Sequence, residues 1–166
     1  MDRPIKWAYD KTHLAVIVRL SCQAGHPPLM LLAQQGRHTV VNATEPYSDD
    51  NIFAKILRGE IPCNKVYEDD YALAFHDINP QAPVHILVIP KAKYVSMADF
   101  TANAAADIIA GFFRAVGTVA REQGLEENGY RCLANAGGDS HQEVPHLHVH
   151  LFAGKPLGPM LMVGAP

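Results

Sequence analysis

The chain has 166 residues, 48% of them hydrophobic, which is enough for one ordinary domain with a single core. Its formal net charge of −3 does not supply the clustered basic surface that binding along DNA or RNA requires. A small anionic ligand is still compatible with this balance, because a local site can be positive on a weakly acidic protein.

Cysteine usage and hydrophobicity indicate the compartment. Cys22, Cys63 and Cys132 are too few and too scattered for a disulfide framework or a paired metal site. The longest early apolar run, residues 14–18, is shorter than a signal-peptide core, and no stretch reaches membrane-spanning length. We therefore expect a cytoplasmic protein that has neither a nucleic-acid nor a membrane partner.

The first part of the chain differs from the rest. Residues 1–48 contain short apolar runs separated by glycine and proline, a pattern compatible either with added strands or with a poorly ordered extension. No motif that carries chemistry occurs there. We expect an N-terminal extension of uncertain structure over residues 1–48 and the main domain over residues 49–166.

Regular periodicity begins at residue 49. Asp50 or Asn51 can cap a short helix with apolar residues on one face, and Gly59 is well placed to end it. The period then changes to that of strands. Residues 65–67 and 71–75 read as a hairpin around a polar turn, and residues 84–89 as a third strand that follows a proline-rich turn.

The second half of the domain predicts one long helix and two further strands. Residues 102–123 carry apolar side chains at spacings of three and four, and Gly124 ends the pattern. Residues 130–135 and 144–152 supply the strands. The predicted fold class is α+β, a mainly antiparallel five-stranded sheet with one long and one short helix, and the helices are expected on one face.

Three histidines alternate with apolar residues in the last predicted strand, Pro-His-Leu-His-Val-His-Leu-Phe over residues 145–152. Because side chains alternate across a strand, His146, His148 and His150 are expected to point the same way. Grouping three side chains with pKa near ~6.5 on one face brings no packing benefit, so the row indicates function.

A metal site and a nucleophile are the two functions that such a row can serve. The outer histidines of one strand would lie roughly 13 Å apart, whereas zinc needs each ligand nitrogen within about 2.1 Å. Three ligands from one strand cannot easily converge. Two of them could still bind a metal together with His85 or His76, so a His-ligated, metal-dependent hydrolase remains an alternative.

Nucleophilic catalysis needs less convergence. A neutral central imidazole can attack phosphorus if a neighbour accepts its other ring proton and donors hold the phosphate oxygens. His146 or His150 can contact the developing charge, and backbone amides at Gly137 and Gly138 can form an anion cradle just before the strand.

A second cluster occupies residues 75–78. The Asp77 carboxylate can accept both hydroxyls of a ribose, and four apolar side chains can surround a base: Phe53, Ile56, Phe75 and Ile78. The structural alternative is that these apolar residues are core and that Asp77 opens the turn at Asn79-Pro80. Both interpretations stay open at this point.

At these residues the chain resembles the histidine triad family, specifically its HINT-like branch in the bacterial form. Residues 146–152 match the motif of alternating histidines and apolar residues in full, residues 51–62 look like the opening helix of the branch, and residues 74–85 like its nucleoside-binding segment. Asn135, Gly137 and Gln142 also fall at matching places, so the likeness covers about residues 49–159.

The resemblance implies a role for each matching residue. His148 would be the nucleophile that becomes transiently nucleotidylated, His150 would hydrogen-bond the phosphate, and His146 and His85 would orient and polarise the site. Asp77 would bind the ribose. The residues implied around the nucleotide are Phe53, Ile56, Phe75, His76, Asp77, Ile78, Asn135, Gly137, Gln142 and Glu143.

The resemblance also implies the reaction. Members typically hydrolyse purine nucleoside phosphoramidates or related adenylates, which are AMP derivatives, without an essential metal or other cofactor, and HINT-like members are usually homodimers. Glu143 stands where some members carry a serine, which leaves the leaving group open. A dinucleoside polyphosphate hydrolase, a nucleotidyl transferase and a nucleotide-binding scaffold protein are the other functions compatible with this site.

Overall fold

The computed structural model describes residues 41–160, so the expectation for residues 1–40 lies outside the described residues. The elements in chain order are α1 (Ile52–Leu57), β1 (Lys65–Glu68), β2 (Ala72–His76), β3 (Val84–Pro90), α2 (Met97–Asn103), α3 (Ala106–Glu122), β4 (Arg131–Leu133), a 3₁₀ turn (Gly138–Ser140) and β5 (Val149–Ala153). None of the helices in this part of the chain is long and apolar enough to cross a membrane.

The five strands form one sheet in the order β1-β2-β3-β5-β4. Every neighbouring pair is antiparallel, and the central strand β3 pairs with β2 on one side and with β5 on the other. The predicted class, an α+β domain built on an antiparallel five-stranded sheet, is therefore confirmed. The arrangement places the end of β2, the start of β3 and the histidine-bearing β5 side by side.

Local side-chain hydrogen bonds explain the first elements. The Asn51 side chain accepts the Ala54 N–H at 2.9 Å and so caps α1, and Gly59, at φ +74°, follows its end. In the β1-β2 hairpin, the Asp69 carboxylate accepts the N–H groups of Tyr71 and Ala72. The predicted helix and polar turn are thus present where the sequence indicates them.

The sheet has two apolar faces. Ala72 and Ala74 of β2 belong to the main core beneath α3, whereas Leu73 and Phe75 belong to a second, smaller core that includes Phe53 of α1. The expectation that the helices lie on one face is therefore wrong for α1. The physical reason is that both faces of β2 and β3 are apolar, so the opposite face also needs a cover.

The predicted long helix is wrong at its start. The chain forms α2 up to Asn103, takes extended backbone at Ala104 and Ala105 with ψ of 145° and 151°, and only then begins α3. The Ser96 side chain caps α2 by accepting the Asp99 N–H at 3.3 Å, while Ala105 caps α3 without any side-chain hydrogen bond. Because the break contains neither proline, glycine nor a polar cap, the sequence does not mark it.

Close approach of α3 to the sheet predicts a specific stability effect. A Cβ at Gly111 would collide with the Tyr71 ring, whereas a Cβ at Gly117 on the same helix would meet nothing within 4 Å. We expect Gly111→Ala to lower the free energy of unfolding by about 1–3 kcal/mol through overpacking. Gly117→Ala should raise it by about 0.5–1 kcal/mol through helix propensity. Urea titrations of both variants test this, and equal stability of the two variants would contradict the packing.

Candidate active site

The histidine row spans the loop before β5 and the strand itself. The strand begins at Val149, so the predicted strand over residues 144–152 is too long, and His146 and His148 lie just before it. The alternation of faces nevertheless continues through this segment. Leu147, Val149 and Leu151 belong to the main core, and the histidines lie on the α1 face with Phe53 packed edge-on against His146 and His148.

His146 is fully buried and held at both ring nitrogens. Its Nε2–H donates to the Pro90 carbonyl at 2.9 Å, and its Nδ1 lies 2.5 Å from the Tyr47 hydroxyl. Since a carbonyl can only accept, the proton of the neutral ring is on Nε2. Burial lowers the pKa of His146 to about 4, so the ring is neutral at physiological pH.

His148 has a tautomer that suits a nucleophile. Its Nδ1–H donates to the His146 carbonyl at 2.7 Å, which leaves the lone pair of the neutral ring on Nε2. Burial lowers the pKa of His148, although the His146 carbonyl and the carboxylates of Asp77 and Glu143 favour the charged form. The net direction keeps the lone pair unprotonated at neutral pH.

His150 is paired with His85 of β3. The Gln81 N–H donates to His85 Nδ1 at 3.3 Å, so the neutral His85 ring carries its proton on Nε2 and donates it to His150 Nδ1 at 2.9 Å. The Phe152 ring stacks on His85 at 4.2 Å between centroids and fixes its plane. Because Nδ1 of His150 accepts this proton, the neutral His150 ring carries its own proton on Nε2.

The Nε2 atom of His150 is the one buried side-chain nitrogen or oxygen without a hydrogen-bond partner among the described residues. A buried donor without an acceptor is costly and uncommon in native structures. Burial lowers the pKa of His150 to about 3, so the group stays a neutral donor. A ligand oxygen in front of the row would satisfy it.

The predicted base pocket is brought together only in part. Phe53 and Phe75 pack edge-to-face at 5.7 Å between centroids, and Ile56 packs against the same small core. Ile78, in contrast, is 81% exposed. The two phenylalanines are therefore core residues, and Phe53 also contacts the histidines of the site. Ile78 projects into solvent.

Asp77 and His76, at the end of β2, face in different directions. One Asp77 oxygen accepts the Asn79 N–H at 2.7 Å, as an aspartate opening a turn does, and the other lies 3.5 Å from His85 Nε2. Asp77 thus forms the turn and borders the histidine site at once. His76 pairs with Ile86, whose side chain belongs to the main core, so strand alternation turns His76 away from the histidines and leaves it exposed.

The loop before the row is braced by Gln142. The Gly137 N–H donates to its side-chain oxygen at 2.9 Å, while its side-chain nitrogen donates to the carbonyls of Val95 and Val144. Because the Gly137 amide is already bonded, the predicted anion cradle does not include that donor. Gly137, at φ +81°, shapes the turn instead, and the buried Gln142 ties it to the start of α2.

Asn135 and Glu143 occupy the two ends of this loop. Asn135 is half-buried just beyond β4, and Glu143 is exposed. The Glu143 charge nevertheless acts on His148, since it raises the pKa of that ring against the effect of burial. Glu143 therefore adds to Asp77 a second negative side chain that acts on His148.

Comparison with known proteins matches residues 58–157 to the HIT domain. The chain belongs to the HIT, or histidine triad, family. A 13.2 kDa HIT-like protein from Azospirillum brasilense is 65% identical over 118 residues, 71% of this chain and 97% of that protein. The purine nucleoside phosphoramidase of Escherichia coli is 42% identical over 114 residues, 69% of this chain and 95% of that enzyme.

Solved structures agree with this assignment. A HIT family hydrolase from Clostridium thermocellum superposes with a TM-score of 0.63 at 38% identity, covering 69% of this chain and 99% of that one. The resemblance stated on residues 146–152 is thereby confirmed. In sequence and in fold, the chain is similar to hydrolases of the histidine triad family.

A metal could be held at one place in the histidine triad site. Atoms of Asp77, His85 and His150 that can ligate a metal all lie within 4.8 Å of one another. His85 Nε2 and His150 Nδ1 are hydrogen-bonded, so a metal there would have to replace the proton they share. The three histidines of the row do not converge on a common point among the described residues, as strand geometry predicts.

Sequence reasoning missed three groups of this histidine triad site. Tyr47, Gln81 and the Pro90 carbonyl set the tautomers of the histidines, and none was predicted to act. Two of the three are backbone groups, which carry no signal in a sequence. The third reaches His146 across 99 residues of chain, a separation over which spacing conveys nothing.

Proposed function

We propose that the chain hydrolyses purine nucleoside phosphoramidates or related adenylates through a nucleotidyl-histidine intermediate on His148. The observation that carries the proposal is the tautomer of His148. Its Nδ1–H is bound to the His146 carbonyl, so an unprotonated Nε2 lone pair stands beside the unpartnered Nε2–H of His150. The E. coli phosphoramidase at 42% identity supports the same chemistry.

The first half of the reaction forms a bond from His148 Nε2 to the α-phosphorus and breaks the bond from phosphorus to the leaving nitrogen or oxygen. The His150 Nε2–H donates to a phosphoryl oxygen as charge develops there. The leaving group departs past Glu143 and takes up a proton from solvent water, which the attacking water of the second half returns. The His148 ring is then cationic, and its Nδ1–H strengthens the hydrogen bond to the His146 carbonyl.

The second half returns the enzyme to its starting state. Water attacks the phosphorus, the bond from phosphorus to Nε2 breaks, and AMP is released as the water loses a proton. His148 regains its neutral form with the lone pair on Nε2. The fixed tautomers mean that neither half requires a ring to rotate.

The nucleoside part of the substrate would be held by Asp77 and by apolar side chains next to the histidines. The Asp77 carboxylate, 18% exposed at its side chain, would accept ribose hydroxyls, while Phe53 and Ile56 would border the purine with Ile78 at the rim. A homodimer, as the family resemblance implies, would bury the exposed ring of Phe113 on α3.

A substrate panel on chelator-treated protein tests this proposal. We expect metal-free protein to hydrolyse adenosine phosphoramidate at the untreated rate and at a kcat/KM on the order of 10-fold or more above that for diadenosine polyphosphates. A preference for the polyphosphates would favour the dinucleoside polyphosphate hydrolase. Transfer of AMP to an added phosphate acceptor in preference to water would favour the nucleotidyl transferase.

The same panel also distinguishes the proposed function from a metal-dependent hydrolase and from a scaffold protein. Loss of activity on chelation, restored by zinc, would establish the metal-dependent hydrolase and exclude the mechanism given above. Tight AMP binding with no turnover of any substrate would favour the scaffold protein. Each outcome replaces the proposed function with a named alternative.

A further inference from the structure

Hydrogen bonds hold residues 41–48, the segment just before α1, beside the histidine site. Val41 is 5% exposed, the buried Ser96 hydroxyl donates to the Ala43 carbonyl at 2.5 Å, and the Asn51 side chain donates to the Ser48 carbonyl at 2.7 Å. Tyr47 lies between these two attachments. Its position is therefore set by the fold on both sides.

The Tyr47 hydroxyl has a defined direction of donation. Because the Pro90 carbonyl takes the Nε2–H of His146, Nδ1 of that ring can only accept. Tyr47 is the donor at 2.5 Å, and its ring meets the imidazole edge-on at 5.4 Å between centroids. A buried Nδ1 deprived of this donor would be left unsatisfied or would take up a proton.

His146 in turn controls the nucleophile. Its carbonyl accepts the Nδ1–H of His148, and both imidazoles make T-shaped contacts with Phe53, at 6.1 and 5.2 Å between centroids. A rotated or protonated His146 would shift that carbonyl or place a positive charge beside His148. The orientation of the His148 lone pair therefore depends on the state of His146.

From this geometry we infer that Tyr47 is a positioning residue for the reaction: its hydroxyl donates to Nδ1 of His146, keeps that ring neutral and in place, and thereby aims Nε2 of His148. The inference rests on the proposed function. Charged groups that act on Tyr47 are Asp49, Lys93 and Arg58. The titratable group that acts on His146 is the neutral His148. Asp49 and Lys93 are paired at 2.8 Å on the surface.

Tyr47→Phe tests the inference because it removes one oxygen and keeps the ring. We expect kcat for adenosine phosphoramidate to fall roughly tenfold while KM stays within about twofold, since the lost hydrogen bond acts on orientation. The acid limb of the kcat profile should move to higher pH, because His146 no longer has a donor that opposes its protonation. Tyr130→Phe, at an exposed tyrosine, is the control and should match the wild type.

Nitrogen-15 NMR of the histidine rings gives a readout that needs no substrate. The Nδ1 of His146 should give the signal of an unprotonated, hydrogen-bonded nitrogen in the wild type and in Tyr130→Phe, and in Tyr47→Phe that signal should move toward the position of a free or protonated nitrogen, while the Nε2–H held by the Pro90 carbonyl persists. Wild-type kcat together with an unchanged Nδ1 signal in Tyr47→Phe would overturn the inference, as would a lowered Tm with unchanged kcat. If His148→Ala is inactive while Tyr47→Phe is fully active, only this inference fails and the proposed function stands.

Discussion

His148→Ala should reduce turnover of adenosine phosphoramidate by a factor on the order of 10⁴ or more. The reason is that the substitution removes the one atom placed to bond phosphorus, whereas the phosphate donor at His150 and the nucleoside contacts remain. AMP should therefore still bind with a Kd within about tenfold of the wild type. Stopped-flow assay of turnover and calorimetry of AMP binding measure the two effects separately.

His76→Ala provides the matched control for this variant. His76 is exposed at the end of β2 and faces away from the triad, so the same substitution there should leave kcat and KM unchanged. Substantial activity in His148→Ala would contradict the assignment of the nucleophile. A raised KM in His76→Ala would contradict the placement of that side chain.

Acidification below about pH 6.5 should destabilise the fold through its buried histidines. Histidines of the unfolded chain bind protons below about pH 6.5. The buried rings stay neutral in the folded chain, since their pKa values are lowered to about 4 for His146 and about 3 for His150. The unfolded state therefore binds more protons, and the free energy of unfolding falls as pH drops through this window, by about 3 kcal/mol for His146.

His146→Gln isolates that contribution. Glutamine can still donate to the Pro90 carbonyl and cannot titrate, so the slope of stability against pH between 6 and 5 should decrease by about 1 kcal/mol per pH unit. Slopes are compared because the variant also changes absolute stability. Carboxylates with lowered pKa, such as Glu68 at about 2, act at lower pH. Equal slopes in both proteins would contradict the neutral, buried state of His146.

The fold class follows from the sequence because periodicity reports burial. The two-residue alternation through β5 and the three-to-four spacing in α3 survive in the structure. The break at Ala104 escapes prediction, since α2 is fixed by the packing of the buried Phe100 and by the Ser96 cap, while the break itself carries no distinctive residue. The cover of the second face by α1 is likewise a tertiary property.

The site is predictable to the level of which histidines share a face. Alternation placed His146, His148 and His150 together, and the cluster at residues 75–78 pointed to Asp77. The resemblance then gave His85 a role in orienting the site. What the sequence could not convey is the tautomer of each ring, because this depends on backbone groups such as the Pro90 carbonyl. The role expected of the Gly137 amide failed for a similar reason, since its partner, Gln142, is fixed only by the folded loop.

Rapid-quench mass spectrometry of the wild type with adenosine phosphoramidate tests the central claim most directly. A covalent AMP adduct should form within the first turnover on the peptide that contains His148, and it should disappear at the rate of AMP release. The configuration at phosphorus should be retained overall, because each of the two in-line displacements inverts it once. Inversion of configuration with no adduct, or an adduct on a different histidine, would contradict the account.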